Sequence, residues 1–370
     1  MKDFSLLIKP VSSDCNLKCR YCYYTESGSR PAGKKGRKRR RMNDRILETV
    51  IRKYMETDQE IYSMVWHGGE PTLMPRSFFE KAVSFQKRYA SQGSRISNSL
   101  QTNAVHFPKN LASFLRKYRF LCGVSLDGPA EIHDIHRRTK TDGPTHRKVV
   151  DGIGELVSNS VSVNILVLVS NANVRKPLEV YRYLKDCGYS HIQFIPCVET
   201  RTDGTLRNYA VTPEDWGRFL AEVFNEWYEN DISKVSVRLF ESVLAKLVHN
   251  TAIDCYNSDS CNRYLVVESN GDIFPCDFFV KEEYKLGNIM DKRFDEILAS
   301  SEFLNFASGK KRWSAECSSC DFLDLCMGDC RKFRPAGQDG THGTSLLCSG
   351  WKTFYNETLD RFQTLAAQIR

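Results

Sequence analysis

Cys15, Cys19 and Cys22 stand at C-x3-C-x2-C spacing in the run Cys15-Asn16-Leu17-Lys18-Cys19-Arg20-Tyr21-Cys22. Three thiolates so spaced can ligate three corners of a cubane iron–sulfur cluster, whereas ferredoxins supply four cysteines per cluster. The fourth iron is then left open, and an open position is what separates catalytic from structural metal sites. A zinc knuckle would need a fourth ligand nearby, and no further Cys or His occurs before His67. A second cysteine set lies towards the C-terminus: Cys255-x5-Cys261-x14-Cys276, then Cys317-x2-Cys320-x5-Cys326-x3-Cys330-x17-Cys348. Eight thiols make two complete four-thiol shells; two structural zinc sites satisfy the same spacing. Of the fourteen cysteines, 14 − 3 − 8 leaves Cys122, Cys187 and Cys197, read as ordinary buried residues.

The elements that must position these groups alternate. Strand-like runs fall at Ser5–Lys9, Ile61–His67, Ile96–Thr102, Leu121–Leu126, Val161–Ser170 and His191–Ile195. Amphipathic helical stretches lie between them, near Asp44–Met55, Phe78–Tyr89, Leu111–Tyr118, Arg147–Val157 and Pro177–Cys187. Six strands separated by helices read as βα units with parallel strands, because parallel pairing needs a crossover. In a barrel-like βα fold the C-terminal strand ends carry the site. There lie His67-Gly68-Gly69-Glu70-Pro71, Gln101-Thr102-Asn103 and Ser125-Leu126-Asp127-Gly128-Pro129. Helices at Trp216–Tyr228 and Leu239–Val248 close this half. Beyond it the chain is cysteine-rich, with short strands at Tyr264–Glu268 and Asp272–Phe274 around an Asn270-Gly271 turn suited to a hairpin. Trp351–Ile369 is helical again. The expected division is residues 1–235 and residues 236–370.

Composition bounds the rest. The chain has 370 residues, 41% hydrophobic and 26% charged, which excludes wholesale disorder, coiled coil and collagen. Net charge is 53 − 45 = +8, but the run Lys34–Arg41 holds seven cations, and without it the balance is 46 − 45 = +1. That is one basic spot, read as a solvated loop or a grip for an acidic partner, not a broadly basic nucleic-acid binder. The apolar run Phe4–Ile8, cut off by Lys9 and Pro10, is too short for a signal h-region, and Val161–Ser170 falls far short of the roughly 18 apolar residues of a membrane span. A cytoplasmic chain with many cysteines, as expected here, points to metal or redox chemistry rather than disulfides.

With these motifs in place, the sequence resembles the radical S-adenosylmethionine (SAM) enzymes. In that family the three-cysteine motif binds a [4Fe-4S] cluster and SAM occupies the free iron. Gly68-Gly69-Glu70-Pro71 matches the family's GGEP motif, whose glycines let backbone approach the SAM amino group. The resemblance assigns Ser125 and Arg137 to the SAM carboxylate, and Tyr21 and Val198 to the adenine. The C-terminal set matches the SPASM extension, which holds two further [4Fe-4S] clusters. It implies Cys255, Cys261, Cys276 and Cys330 for the first and Cys317, Cys320, Cys326 and Cys348 for the second. The fold implied is α/β: a partial (β/α)6 TIM-type barrel, then a small SPASM domain with two auxiliary iron–sulfur clusters and a C-terminal helix.

Within this class the chain is most similar to the anaerobic sulfatase-maturating enzymes, through residues 5–24 (SLLIKPVSSDCNLKCRYCYY), 98–103 (NSLQTN), 125–137 (SLDGPAEIHDIHR) and 266–280 (VVESNGDIFPCDFFV). That resemblance makes Asp277 the base that deprotonates the substrate side chain, and puts Tyr24 and His67 beside the substrate. His67 stands where the family has Gln, which leaves substrate preference open. The activity implied is oxidation of a cysteine or serine in an unfolded sulfatase segment (Cys/Ser-x-Pro-x-Arg type) to formylglycine. It also implies an electron donor such as flavodoxin or ferredoxin, no membrane or nucleic-acid partner, and a monomer. The alternatives are a SPASM maturase that crosslinks another ribosomal peptide, and a zinc-stapled nucleic-acid-binding protein.

Overall fold

The computed structural model describes residues 3–26, 41–335 and 343–369. Of the basic run, all but Arg41 lies outside the described residues. The strands in chain order are β1 (Ser5–Ile8), β2 (Ile61–Trp66), β3 (Arg95–Thr102), β4 (Leu121–Ser125), β5 (Ser162–Val169), β6 (His191–Pro196), β7 (Ser236–Val237), β8 (Tyr264–Val267), β9 (Asp272–Phe274) and β10 (Gly287–Asn288). The six strands expected from periodicity are β1 to β6. The chain folds into two compact units, neither contiguous in sequence. One contains Met1–Ser125, Arg138–Val163 and Cys261–Ala307; the other contains Leu126–Arg137, Asn164–Ser260 and Ser308–Arg370.

In the first unit the strand order is β10-β9-β8-β1-β2-β3-β4. The β1–β2, β2–β3, β3–β4 and β1–β8 pairs are parallel, while β8–β9 and β9–β10 are antiparallel. The β8–β9 hairpin turns at Gly271, whose φ of 86° lies in the left-handed region that favours glycine. Because β8 runs parallel to β1, the cysteine-rich segment places its strand ends beside those of β1 and β2. Helix Asp44–Met55 starts where the Asn43 side chain accepts a hydrogen bond from the Ile46 amide at 2.9 Å, capping an otherwise unpaired donor. Trp66 is fully buried edge-on to Phe78 and Phe79, at centroid distances of 5.7 and 5.9 Å. Burying such a ring stabilises by about 1.5–3 kcal/mol.

In the second unit β5, from Asn164 onward, pairs parallel with β6, and β6 pairs parallel with β7. Helix Pro213–Asn230, capped by Thr212 and opened by a proline at its first turn, lies against the C-terminal helix Cys348–Ile369. The two backbones meet at glycines: a Cβ on Gly350 would stand 2.1 Å from the Pro213 carbonyl oxygen. Phe224 and Phe362, 4.3 Å apart, continue that contact beneath Phe240 and Phe354. No helix among the described residues is long and apolar enough to cross a membrane.

Candidate active site

The segment after β1 carries the three-cysteine loop, and the loop after β2 is strapped to it. The Gly69 amide donates to the Ser12 carbonyl at 2.7 Å and the Glu70 amide to the Asp14 carbonyl at 2.8 Å. Such contact requires glycine, because a Cβ on Gly69 would lie 2.0 Å from the Asp14 carbonyl oxygen. Gly68, at φ 114°, is likewise held near Ser12. Gly69→Ala is therefore expected to push the two loops apart. Overpacking of this kind typically costs about 1–3 kcal/mol. Calorimetric titration with SAM should show affinity down by about tenfold or more, since about 1.4 kcal/mol is tenfold; unchanged affinity would remove the strap from the site.

Glu70 is fully buried, and four donors occupy its carboxylate: the Thr72 amide (3.0 Å) and hydroxyl (2.7 Å), the Thr102 hydroxyl (2.8 Å) and the Asn103 amide (2.8 Å). Burial raises its pKa against those hydrogen bonds. Its geometry ties the end of β3 to the loop after β2. The Asn103 side-chain amide in turn reaches Asn16 Oδ1 (2.8 Å) and Cys15 Sγ (3.6 Å). The Cys15 thiol is pushed up to about 12, first by burial, then by the Glu70 charge; Cys19 and Cys22 lie within its electrostatic reach.

A second cluster of side chains meets at the ends of β1, β2, β8 and β9. Asp277 follows Cys276 at the start of a short 3-10 turn and is buried. It pairs with Lys9, accepts a hydrogen bond from the Tyr23 hydroxyl, and accepts from the Tyr24 hydroxyl at 3.1 and 3.2 Å. Lys9, one residue past β1 and wholly buried, also pairs with Glu268 at 3.2 Å and lies 4.6 Å over the Tyr24 ring. His67 Nδ1 is 3.3 Å from the Tyr24 hydroxyl. Burial alone would raise the Asp277 pKa, but Lys9, His67 and the hydrogen bonds outweigh it and hold it at about 2. Lys9 is the cation that counts at neutral pH, because burial pushes His67 towards its neutral form. The site thus holds a carboxylate, kept towards its ionised form, in a buried, aromatic-walled setting.

The remaining residues singled out by sequence fall as follows. Tyr21 is buried in the first unit, and Ser125 ends β4 there. In the second unit, Arg137 donates from Nε to Asp127 at 2.9 Å, and Asp127 Oδ1 accepts the Leu168 amide at 3.0 Å, so a carboxylate anchored on β5 orients the guanidinium. Val198, two residues past β6, is buried. Cys261 and Cys276 belong to the first unit, where the Tyr264 hydroxyl lies 3.3 Å from Cys276 Sγ. Cys255, Cys317, Cys320, Cys326, Cys330 and Cys348 belong to the second. There burial, then the neighbouring Cys255 and Asp329, push the Cys330 thiol up to about 12. Burial also raises Cys348 to about 11, with Cys317 and Cys320 among its neighbours, and raises Cys326 beside Cys317 and Cys348.

No disulfide joins any two cysteines among the described residues. No three His, Cys, Asp or Glu groups among the described residues gather tightly enough to hold a single metal ion. Soft, half-buried thiols in sets of three and four are the donors iron–sulfur clusters take, and Cys15, Cys19 and Cys22 on one loop suit a cluster with an open corner. Cys187 corrects the sequence reading: it is exposed at the end of helix Pro177–Asp186, where its face of the helix turns outward, whereas Cys122 and Cys197 are buried. Sequence reasoning missed Lys9, Tyr23 and Glu268. The only trace of Lys9 was a charge closing an apolar strand.

Parallel strands whose C-terminal ends carry a three-thiol loop strapped by a glycine loop, with a cysteine-rich extension, define a radical SAM enzyme with an iron–sulfur SPASM domain. Comparison agrees: residues 10–184 match the radical SAM superfamily and residues 255–321 the SPASM iron–sulfur cluster-binding domain. The chain belongs to the anaerobic sulfatase-maturating enzymes. It is 35% identical to the serine-type enzyme of Bacteroides thetaiotaomicron, over 96% of this chain and 89% of that one. It is 33% identical to the cysteine-type enzyme of Clostridium perfringens, over the full length of both. The structure of anSMEcpe with bound AdoMet and Cp18Cys peptide superposes with a TM-score of 0.91 at 32% identity, covering 99% of this chain and 100% of that one.

Proposed function

We propose that this chain oxidises the β-carbon of a cysteine or serine in a sulfatase segment to the aldehyde of formylglycine, with Asp277 as the base. The observation that carries this reading is the buried Asp277 carboxylate, held by Lys9 and two tyrosine hydroxyls directly after a cluster-type cysteine. Cys15, Cys19 and Cys22 would hold one [4Fe-4S] cluster, and the eight C-terminal cysteines two more, assigned as in the family resemblance. When bound, SAM and these clusters supply hydrogen-atom abstraction from the substrate's β-carbon and an acceptor for the electron left behind.

The protein's own residues do the rest. A carboxylate held at about 2 is too weak to deprotonate an ordinary thiol, whose pKa is about 8.5. Proton transfer therefore follows loss of the β-hydrogen, which acidifies the neighbouring S–H or O–H. Asp277 then takes that proton, and the substrate carbon–heteroatom bond becomes double. Serine yields the aldehyde directly; cysteine yields a thioaldehyde that water hydrolyses. Tyr24 and His67 border the space for the side chain, and Tyr21, Gly68, Gly69, Glu70, Ser125, Arg137 and Val198 form or orient the SAM pocket. The functional halves are residues 1–235 for SAM chemistry and 236–370 for the auxiliary clusters, fed by a flavodoxin- or ferredoxin-type donor.

Serine-type and cysteine-type relatives lie close together in identity, at 35% and 33%, so the substrate must be decided by assay. Anoxically reconstituted protein is given SAM, reductant, and paired peptides with Cys or Ser in a Cys/Ser-x-Pro-x-Arg motif. Mass spectrometry should show serine lighter by a pair of hydrogens, or cysteine with sulfur replaced by a carbonyl oxygen. A crosslinked product, or no change in either peptide, would overturn the proposal.

A further inference from the structure

Lys310 is buried in the second unit, 1% exposed. Lysine is almost never fully buried unless its charge is answered. Its Nζ donates to the carbonyls of Cys255 and, at 2.8 Å, Tyr256. Arg334, also buried, donates to the Lys310 carbonyl at 2.9 Å and fixes that backbone. The Lys310 charge acts to lower the pKa of Cys330, Asp329 and Cys326. Asp329 is itself buried and occupied by the Cys330 amide (2.7 Å), the Ser345 hydroxyl (2.7 Å) and the Trp351 indole (3.0 Å). One cation is therefore fixed against the backbone of Cys255, a member of the first auxiliary set, in a setting where charges are weakly screened.

We propose that Lys310 sets the reduction potential of the auxiliary iron–sulfur cluster held in part by Cys255, as a fixed buried positive charge beside that ligand. This rests on the reading that the eight cysteines hold clusters. A four-thiolate cluster is anionic and gains one more negative charge on reduction, so a nearby ammonium favours the reduced state. Net charge and hydrogen bonding around the sulfurs are the levers by which proteins tune such potentials. Lys310 supplies the charge directly, and by holding the Cys255 and Tyr256 carbonyls it also fixes the backbone beside one ligand.

The test uses full-length protein with Cys15, Cys19 and Cys22 changed to alanine, so that only auxiliary clusters assemble, titrated potentiometrically with EPR detection. Lys310→Gln keeps two N–H donors for the carbonyls but loses the charge; Lys310→Arg keeps the charge. In Lys310→Gln the auxiliary signal of the Cys255 set should move to more negative potential, with the reduction equilibrium about tenfold less favourable, which is about 59 mV for one electron. Lys310→Arg should stay near the parent. Loss of iron in Lys310→Gln with full iron in Lys310→Arg would also support the charge. Unchanged potentials in an iron-replete Lys310→Gln, equal shifts in the two variants, or iron loss in both would overturn the proposal. A parent that takes up no auxiliary iron would instead sink the cluster reading itself.

Discussion

Asp277→Asn is expected to lower formylglycine formation by about 10²–10⁴-fold, the usual weight of a positioned acid–base group, while reductive consumption of SAM continues. Asparagine keeps the shape and can still accept from Tyr23 and Tyr24, which donate to Asp277 in the parent. It cannot take a proton from the substrate. The loss should therefore appear in aldehyde yield per deoxyadenosine formed, measured by mass spectrometry and chromatography of the same reaction. Native aldehyde yield from this variant would end the assignment of the base. The parent's pH profile carries a related sign. With Asp277 held at about 2, the base is ionised throughout the neutral range. Its titration should produce no acid limb between about pH 5 and 8, well above even the unperturbed aspartate value near 3.9.

Lys9→Met is expected to destabilise the fold strongly. Lys9 pairs with both Asp277 and Glu268 and is fully buried. Removing one partner of a buried ion pair costs about 3–5 kcal/mol, because the remaining charge is left unanswered in a poorly solvated place. The pH dependence should also weaken. In the parent the folded Asp277 pKa, about 2, lies below the unfolded value near 3.9. Its stabilisation is therefore present above that unfolded value and lost as pH falls towards the folded one. Without Lys9, its charge and hydrogen bond no longer lower the Asp277 pKa, leaving burial opposed by His67 and the Tyr23 hydroxyl. The folded pKa then moves up towards the unfolded one, and the loss of stability as pH falls becomes smaller. Denaturant unfolding of parent and variant from pH 4 to 7.5 reads both effects. Equal midpoints at pH 7 would show that the ion pair does not hold this region together.

The sequence by itself determined whatever depends on neighbours along the chain. The three-thiol spacing, the glycine pair before Glu70, the Asn270-Gly271 turn and the alternation of strand and helix are local patterns, and the helix caps at Asn43 and Thr212 follow the same logic. Asp277 was visible because it adjoins Cys276. Tertiary structure decided what distant residues do to one another. Hydropathy places a lysine at the surface, yet parallel pairing of β1 with β8 brings Lys9 between Asp277 and Glu268. Burial then makes their charges depend on each other. Cys187 lies outside for the mirror-image reason: which face a helix turns to solvent is set by packing, not by residue type. Sheet register and burial belong to the folded chain as a whole, so no local window of sequence contains them.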